Sequence, residues 1–280
     1  MILINTKVKI LILLILWVVT FIPIYPDLTE SWFSHSNNSH GVLVPIISTF
    51  LIWQKRDQIS KVPVSSSGWG EVILVISMLL YVLSYTGGIA VVSRLMIVSS
   101  LIGLILYNFG AAVFSIIQFP LLYLLFMVPV PATLYSLVAL PLQIFATKVS
   151  TLLIEALSIP VYREGTMLYF MQTHLEVAEQ CSGLHSMTSF IMLSFLFAYM
   201  LNNKWWKRIF LVISAIPLAI SANIVRVTGT GILANFYGAK VARGFLHEFS
   251  GMAVFAFGFI LLLIEYSLLS KTKSFQKQPG

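Results

Sequence analysis

The chain is dominated by long apolar runs separated by short charged or Pro- and Gly-containing breaks. Runs near Val8–Tyr25, Gly41–Trp53, Trp69–Gly87, Ile89–Tyr107, Ala112–Val130, Cys181–Leu201, Arg208–Val225 and Glu248–Leu269 are each expected to cross a bilayer. A spanning helix needs about 20 predominantly apolar residues. The first run follows Lys7 and Lys9 as a signal peptide would, but no small-residue cleavage site comes after it, so it is read as a span. Residues 132–158 are apolar but interrupted by Pro141, Lys148 and Glu155, which predicts a pair of amphipathic helices lying in the outer interface. Val161–Glu179 partly alternates apolar and polar positions, the pattern of a small hairpin outside the membrane. The expected fold class is an all-α polytopic membrane protein of about eight transmembrane helices, with interfacial helices and a small hairpin on the outer side.

Composition agrees with the pattern. Of 280 residues, 58% are hydrophobic and only 10% are charged, where a soluble domain carries about 25% charged residues. This excludes a soluble enzyme and a disordered tail. The net charge of +7 does not indicate nucleic acid: a nucleic-acid binder gathers its basic residues on one face, and here they punctuate apolar runs. The expected surroundings are a lipid bilayer, with no nucleic-acid partner.

The placement of these charges predicts sidedness, because Lys and Arg near span ends stay cytoplasmic. Alternate loops collect Lys7, Lys9, Lys55, Arg56, Lys61, Lys204, Lys207, Arg208, Lys271, Lys273 and Lys277, eleven of the 17 basic residues. Both termini are therefore expected in the cytoplasm and the number of spans is expected to be even. Residues 1–270 read as one membrane domain and 271–280 as a basic cytoplasmic tail. A further crossing by 132–158 would turn Lys204, Lys207 and Arg208 outward, against the same rule. A bacterial cytoplasmic (inner) membrane is the expected location.

Three reactive side chains fall on the outer side under this topology. Cys181, the single cysteine, is expected to open a span, and its solitude rules out an intramolecular disulfide. Arg226 is expected to close the next span and His247 to open the last. A thiolate is a nucleophile whose pKa falls near a helix N-terminus or a cation. Histidine protonates a leaving amine and deprotonates an incoming nucleophile, while an arginine fork holds a developing oxyanion or stabilises a thiolate. Acyl transfer through a thioester is the reaction this set suits. Each residue also has a plainer reading: a small core cysteine, a snorkelling interfacial arginine, a histidine at a helix start. His35, His40, His174, His185 and His247 all fall on the outer side and raise a metal site as a rival. No HExxH or other short ligand pair supports it, and no metal or cofactor is expected. Gly229, Gly231 and Gly238 read as loop or re-entrant punctuation. The alternative for the whole protein is a non-enzymatic transporter or channel with Arg226 and His247 lining its path; polar residues in mid-span, which that would want, are sparse.

At these positions the sequence resembles the exosortase/archaeosortase family of integral membrane sorting enzymes. Glu176-Val177-Ala178-Glu179-Gln180-Cys181-Ser182-Gly183-Leu184 resembles the family's nucleophile segment, Asn223-Ile224-Val225-Arg226 its Asn-x-x-Arg segment, and His247 its third motif. Ser39-His40-Gly41, Pro129-Val130-Pro131 and Tyr162-Arg163-Glu164-Gly165 also fit in family order. The resemblance implies a cysteine protease/transpeptidase with Cys181, Arg226 and His247 as its catalytic trio, and His185, Asn223, Glu179 and His40 as supporting candidates. It implies partners that are exported proteins bearing a C-terminal signal of short motif, hydrophobic helix and basic tail. His185 stands where the family commonly has Arg; four residues after Cys181, it is expected to share a helix face with it. The extra C-terminal domain of some relatives is not expected, nor the second activity it would carry.

Overall fold

The computed structural model describes residues 6–34, 36–177, 183–201, 204–238 and 245–271. Five of the described helices are long and apolar enough to cross a bilayer: Gly68–Thr86, Ala90–Met127, Ala132–Ala156, Trp205–Tyr237 and Gly251–Lys271. The pair Val8–Thr20 and Tyr25–Ser34, bent by 66°, brings this to as many as six if counted as one span. Their outer faces carry exposed Leu79, Leu83, Leu137, Ile213 and Leu268. Apolar surface of that extent needs lipid against it, and helices satisfy their backbone polar groups internally, as the hydrocarbon region requires. The chain is a multi-pass membrane protein. It divides into two compact units, Met1–Pro131 and Ala132–Gly280.

The first unit contains α1 (Thr6–Thr20), α2 (Tyr25–Ser34), a 3-10 turn over Ser36–Val42, α3 (Leu43–Gln54), α4 (Arg56–Ile59), α5 (Gly68–Thr86) and α6 (Ala90–Tyr123). The run expected to span at Gly41–Trp53 is the 12-residue α3, only about 18 Å long. Two expected spans, 89–107 and 112–130, join within α6 at Gly110, whose φ of 82° and ψ of 178° are not helical. Leu101, Ile102 and Ile105 pack against the cluster of Val113, Ile117 and Leu121. In a straight helix Leu101 and Val113 would stand about 18 Å apart, so the chain folds back at Gly110. Glycine is required there both by the positive φ and because a Cβ would run into the Ser65 carbonyl. The first half of α6 lies antiparallel to α5. Small residues let the backbones meet, Gly103 against Leu74 and Gly70 against Tyr107, and hydroxyl pairs Ser77–Ser99 (2.7 Å) and Ser84–Ser93 (2.8 Å) bridge them. Arg94 on α6, largely buried, donates to the carboxylate of Asp27 on α2 at 2.7 Å.

The second unit runs α7 (Ala132–Ala156), β1 (Val161–Glu164), β2 (Met167–Phe170), β3 (His174–Glu176), α8 (Leu184–Met200), α9 (Trp205–Tyr237) and α10 (Phe245–Lys271). The expected pair of amphipathic helices over 132–158 is instead the single 25-residue α7, with Pro141 inside it. Lys148 and Glu155, which looked like interruptions, lie on its exposed side, while Gln143, Thr147, Ser150 and Thr151 are buried. The Thr147 and Thr151 hydroxyls donate back to Gln143 O and Thr147 O, at 2.7 and 2.8 Å. These polar groups are thus satisfied within the helix and do not break it.

The expected hairpin forms and gains a third strand. The sheet order is β1-β2-β3, all antiparallel, with Tyr162 opposite Tyr169 and Tyr169 opposite His174. Alternation places Leu168, Phe170 and Leu175 inward against Ile154, Val227 and Ala234. Beside the sheet, α8, α9 and α10 form a tight trio. Phe190 stacks on Phe255 at 5.0 Å, and Phe197 meets Phe259 and Tyr266. Ser214 donates to Glu265 (2.6 Å) and Lys207 to the Leu269 carbonyl (3.2 Å). The order of these contacts makes α8 and α10 run in the same direction and α9 opposite to both. Buried Ala215, Ala219 and Ala222 on α9 allow the close approach. Lys204, Lys207, Arg208 and Lys271 consequently share one end of the trio, and the opposite end holds Gly183, Asn223, Arg226 and Gly251.

Candidate functional site

That opposite end is built on one helical turn, Asn223 to Arg226. Arg226 was expected to close its span, but α9 continues unbroken to Tyr237, so the arginine is in mid-helix. Gly229 and Gly231, expected as loop punctuation, are helical; Gly231 gives room to Ile154 and Phe170. Gly238, by contrast, caps the helix with a φ of 82°. From Trp205 to Arg226 the helix measures about 30 Å, the thickness of a hydrocarbon core. The next turns, from Val227 to Ala234, pack on the sheet.

Two glycines bring the other helices to this turn. Gly183, the N-cap of α8, has a φ of 81°, and a Cβ on it would lie 2.9 Å from both Cβ and Cγ of Asn223, which is buried. Gly251 on α10 seats the guanidinium of Arg226: a Cβ there would lie 3.2 Å from Nη2 and 3.3 Å from Cζ. Helix starts carry partial positive charge on their unpaired N–H groups. The start of α8 and a guanidinium therefore adjoin one turn of α9, which favours an anion there.

The sequence-predicted residues distribute around this geometry as follows. Arg226 and Asn223 lie one helical turn apart on α9. His247 falls in the first turn of α10, four residues before Gly251. Cys181 and Glu179 lie outside the described residues; Cys181 precedes Gly183 by two positions. His185 is in the first turn of α8; the helix face it was expected to share with Cys181 involves a residue outside the described ones. His40 belongs to the other unit, in the 3-10 turn Ser36–Val42, partly buried.

Sequence reasoning missed two polar side chains on α7. The amide Nε2 of Gln143 donates to the carbonyl of Val177, and the hydroxyl of Ser150 donates to the carbonyl of Ile224 at 3.2 Å. Their signal was available in the spacing of Gln143, Thr147, Ser150 and Thr151, a polar stripe on one helix face. Gly251 carried no local signal, because its role is a close tertiary approach. Among the described residues no three His, Cys, Asp or Glu side chains gather as metal ligands would.

The fold and site define a multi-pass membrane protein with a polar, cation-bearing cluster where three helices converge at one end of the bundle. The chain belongs to the transmembrane exosortase family: the family description Transmembrane exosortase (Exosortase_EpsH) matches residues 32–264, most of its length. No curated protein and no solved structure matches it.

Proposed function

We propose that this protein is a membrane-embedded cysteine protease/transpeptidase that cleaves the C-terminal sorting signal of exported proteins at the outer face of the cytoplasmic membrane. The observation that carries the reading is the convergence on one turn of α9: Gly183, two residues after Cys181, packs on Asn223, and Gly251, one turn after His247, packs on Arg226. Family membership and the charge asymmetry of the bundle support it. The thiolate of Cys181 attacks the scissile carbonyl, and Arg226 stabilises the thiolate and then the oxyanion. Collapse of the tetrahedral species breaks the C–N bond; protonated His247 gives its proton to the departing amine, leaving a thioester on Cys181. Neutral His247 then takes a proton from an incoming amine or water, whose attack releases the acyl group and restores the Cys181 thiolate and protonated His247.

Lys204, Lys207, Arg208 and Lys271 mark the cytoplasmic end of the bundle. The C-terminal end of α10 is then cytoplasmic, the reactive end faces outward, and a substrate held by its own transmembrane helix and basic tail presents its motif at that depth. Cys181→Ala is expected to abolish processing of a co-expressed protein bearing such a tail while membrane insertion is unchanged. Tail loss persisting in a well-expressed Cys181→Ala protein would sink the mechanism. Labelling of Cys181 in intact cells by a membrane-impermeant thiol reagent checks the sidedness, and labelling only after lysis would reverse it.

A further inference from the structure

We propose that Gln143 and Ser150 are positioning residues: α7 holds the segments that carry Cys181 and Arg226 in fixed relation through two side-chain-to-backbone bonds. The inference rests on the cysteine-protease reading given above and extends it to a helix outside the trio. Gln143 donates to the carbonyl of Val177, four residues before Cys181. Ser150 donates to the carbonyl of Ile224, two residues before Arg226. Both side chains are buried, Gln143 at 7% and Ser150 at 0% exposure. Ser150 is a second donor to a carbonyl already in the ladder of α9, whereas Val177 lies beyond the end of β3, where water does not readily replace a lost buried donor.

The geometry suits positioning better than simple packing. Seven residues separate the two donors, about two turns and about 10 Å of one continuous helix, so both grips share a rigid body. Thr147, between them, satisfies itself by donating to the backbone carbonyl of Gln143. Val177 also donates its N–H to Thr166 O. The chain leaving β3 is thus held on its amide by the sheet and on its carbonyl by α7, immediately before the nucleophile segment. On the other side, Ile224 lies within the Asn223–Arg226 turn that Gly183 and Gly251 contact. Acyl transfer needs the thiolate and the oxyanion donor placed to within a fraction of an ångström, and a displacement of about 1 Å costs up to about 100-fold in rate.

The test uses the full-length protein in lipid vesicles with a tail-bearing substrate. Gln143→Met keeps the length of the side chain but removes the donor; Ser150→Ala removes the second grip. Each is expected to lower kcat roughly 10- to 100-fold with KM within about twofold, with Ser150→Thr restoring most of the loss. Because Cys181 is the single cysteine, its alkylation rate against pH reads the same geometry without substrate, and both variants are expected to shift that profile. Wild-type kcat and a wild-type alkylation profile in folded Gln143→Met and Ser150→Ala proteins would overturn the proposal. So would a kcat loss that follows only the fraction unfolded, with the profile unmoved. If the wild-type enzyme itself neither cleaves nor forms a thioester, the protease reading fails, while the alkylation profile still decides whether α7 positions Cys181.

Discussion

Two arginines, one in each unit, show how differently a guanidinium can be accommodated in an apolar bundle. Arg94 is almost wholly buried, and the Asp27 carboxylate stands 2.7 Å away, itself more than half exposed. Its charge is answered where it lies, and the pair joins α2 to α6. Arg226 is seated against a glycine of α10, on a helical turn that the start of α8 also touches. Burial alone would rank Arg94 as the more unusual residue. What separates them is the company: the Arg226 turn is where the segments adjoining Cys181 and His247 meet, and Arg94 has a closed ion pair.

The largest effect that would sharpen this contrast is Arg226→Lys, expected to reduce processing by about 100- to 1,000-fold, because a lysine cannot supply two coplanar donors. Near-wild-type turnover would reduce Arg226 to an anchor. Gly183→Ala comes next: the positive φ costs about 1–2 kcal/mol for a residue with a Cβ, and the contact with Asn223 adds to it. Its processing rate is expected to fall more than tenfold, measured at equal protein level. Gly251→Ala forces the Arg226 guanidinium to give by a few tenths of an ångström, and a loss of about tenfold in kcat is expected; a wild-type rate would mean that the seat is dispensable.

The ion pair should respond in the opposite currency, stability without chemistry. Asp27→Asn strands a buried cation and is expected to cost about 2–3 kcal/mol, read as a lowered Tm in detergent. Arg94→Met leaves Asp27 to water and puts an apolar chain in an apolar place, so the change is expected to stay within about 1 kcal/mol. Processing per folded molecule should be unchanged in both. Equal destabilisation by the two variants would show that the asymmetry of exposure does not govern the pair.

Much of this architecture was legible in the chain because lipid imposes it. Apolar runs and the breaks around Lys55–Lys61 and Asn202–Arg208 report helices and their ends directly, and the alternation after Val161 reports the sheet. Where the reading failed, a polar or special residue did not end a helix. Pro141, Lys148 and Glu155 suggested two short helices, but α7 exposes the charges and buries its Gln, Thr and Ser stripe against neighbours. Arg226 suggested an end, yet α9 continues because the sheet covers its next turns. The ordered motifs include the Asn223–Arg226 turn of α9 without indicating what packs on it. Gly183, Gly251, Gln143 and Ser150 act through contacts between segments distant in sequence, and no local pattern encodes a distance of closest approach.

The length of α9 has a consequence for the membrane itself. Trp205 and Trp206, beside Lys207 and Arg208, are the kind of residues that anchor a helix at a headgroup boundary, and Arg226 lies about 30 Å further along. The interval matches an average hydrocarbon core, so α9 carries little hydrophobic mismatch in such a bilayer. In longer-chain lipids the guanidinium would be drawn beneath the headgroups and its desolvation would rise; in shorter-chain lipids it would stand clear in water, where its field is weakest. Under the proposed function, acyl-chain length becomes a variable of catalysis, with an optimum set by the number of residues between a tryptophan pair and an arginine.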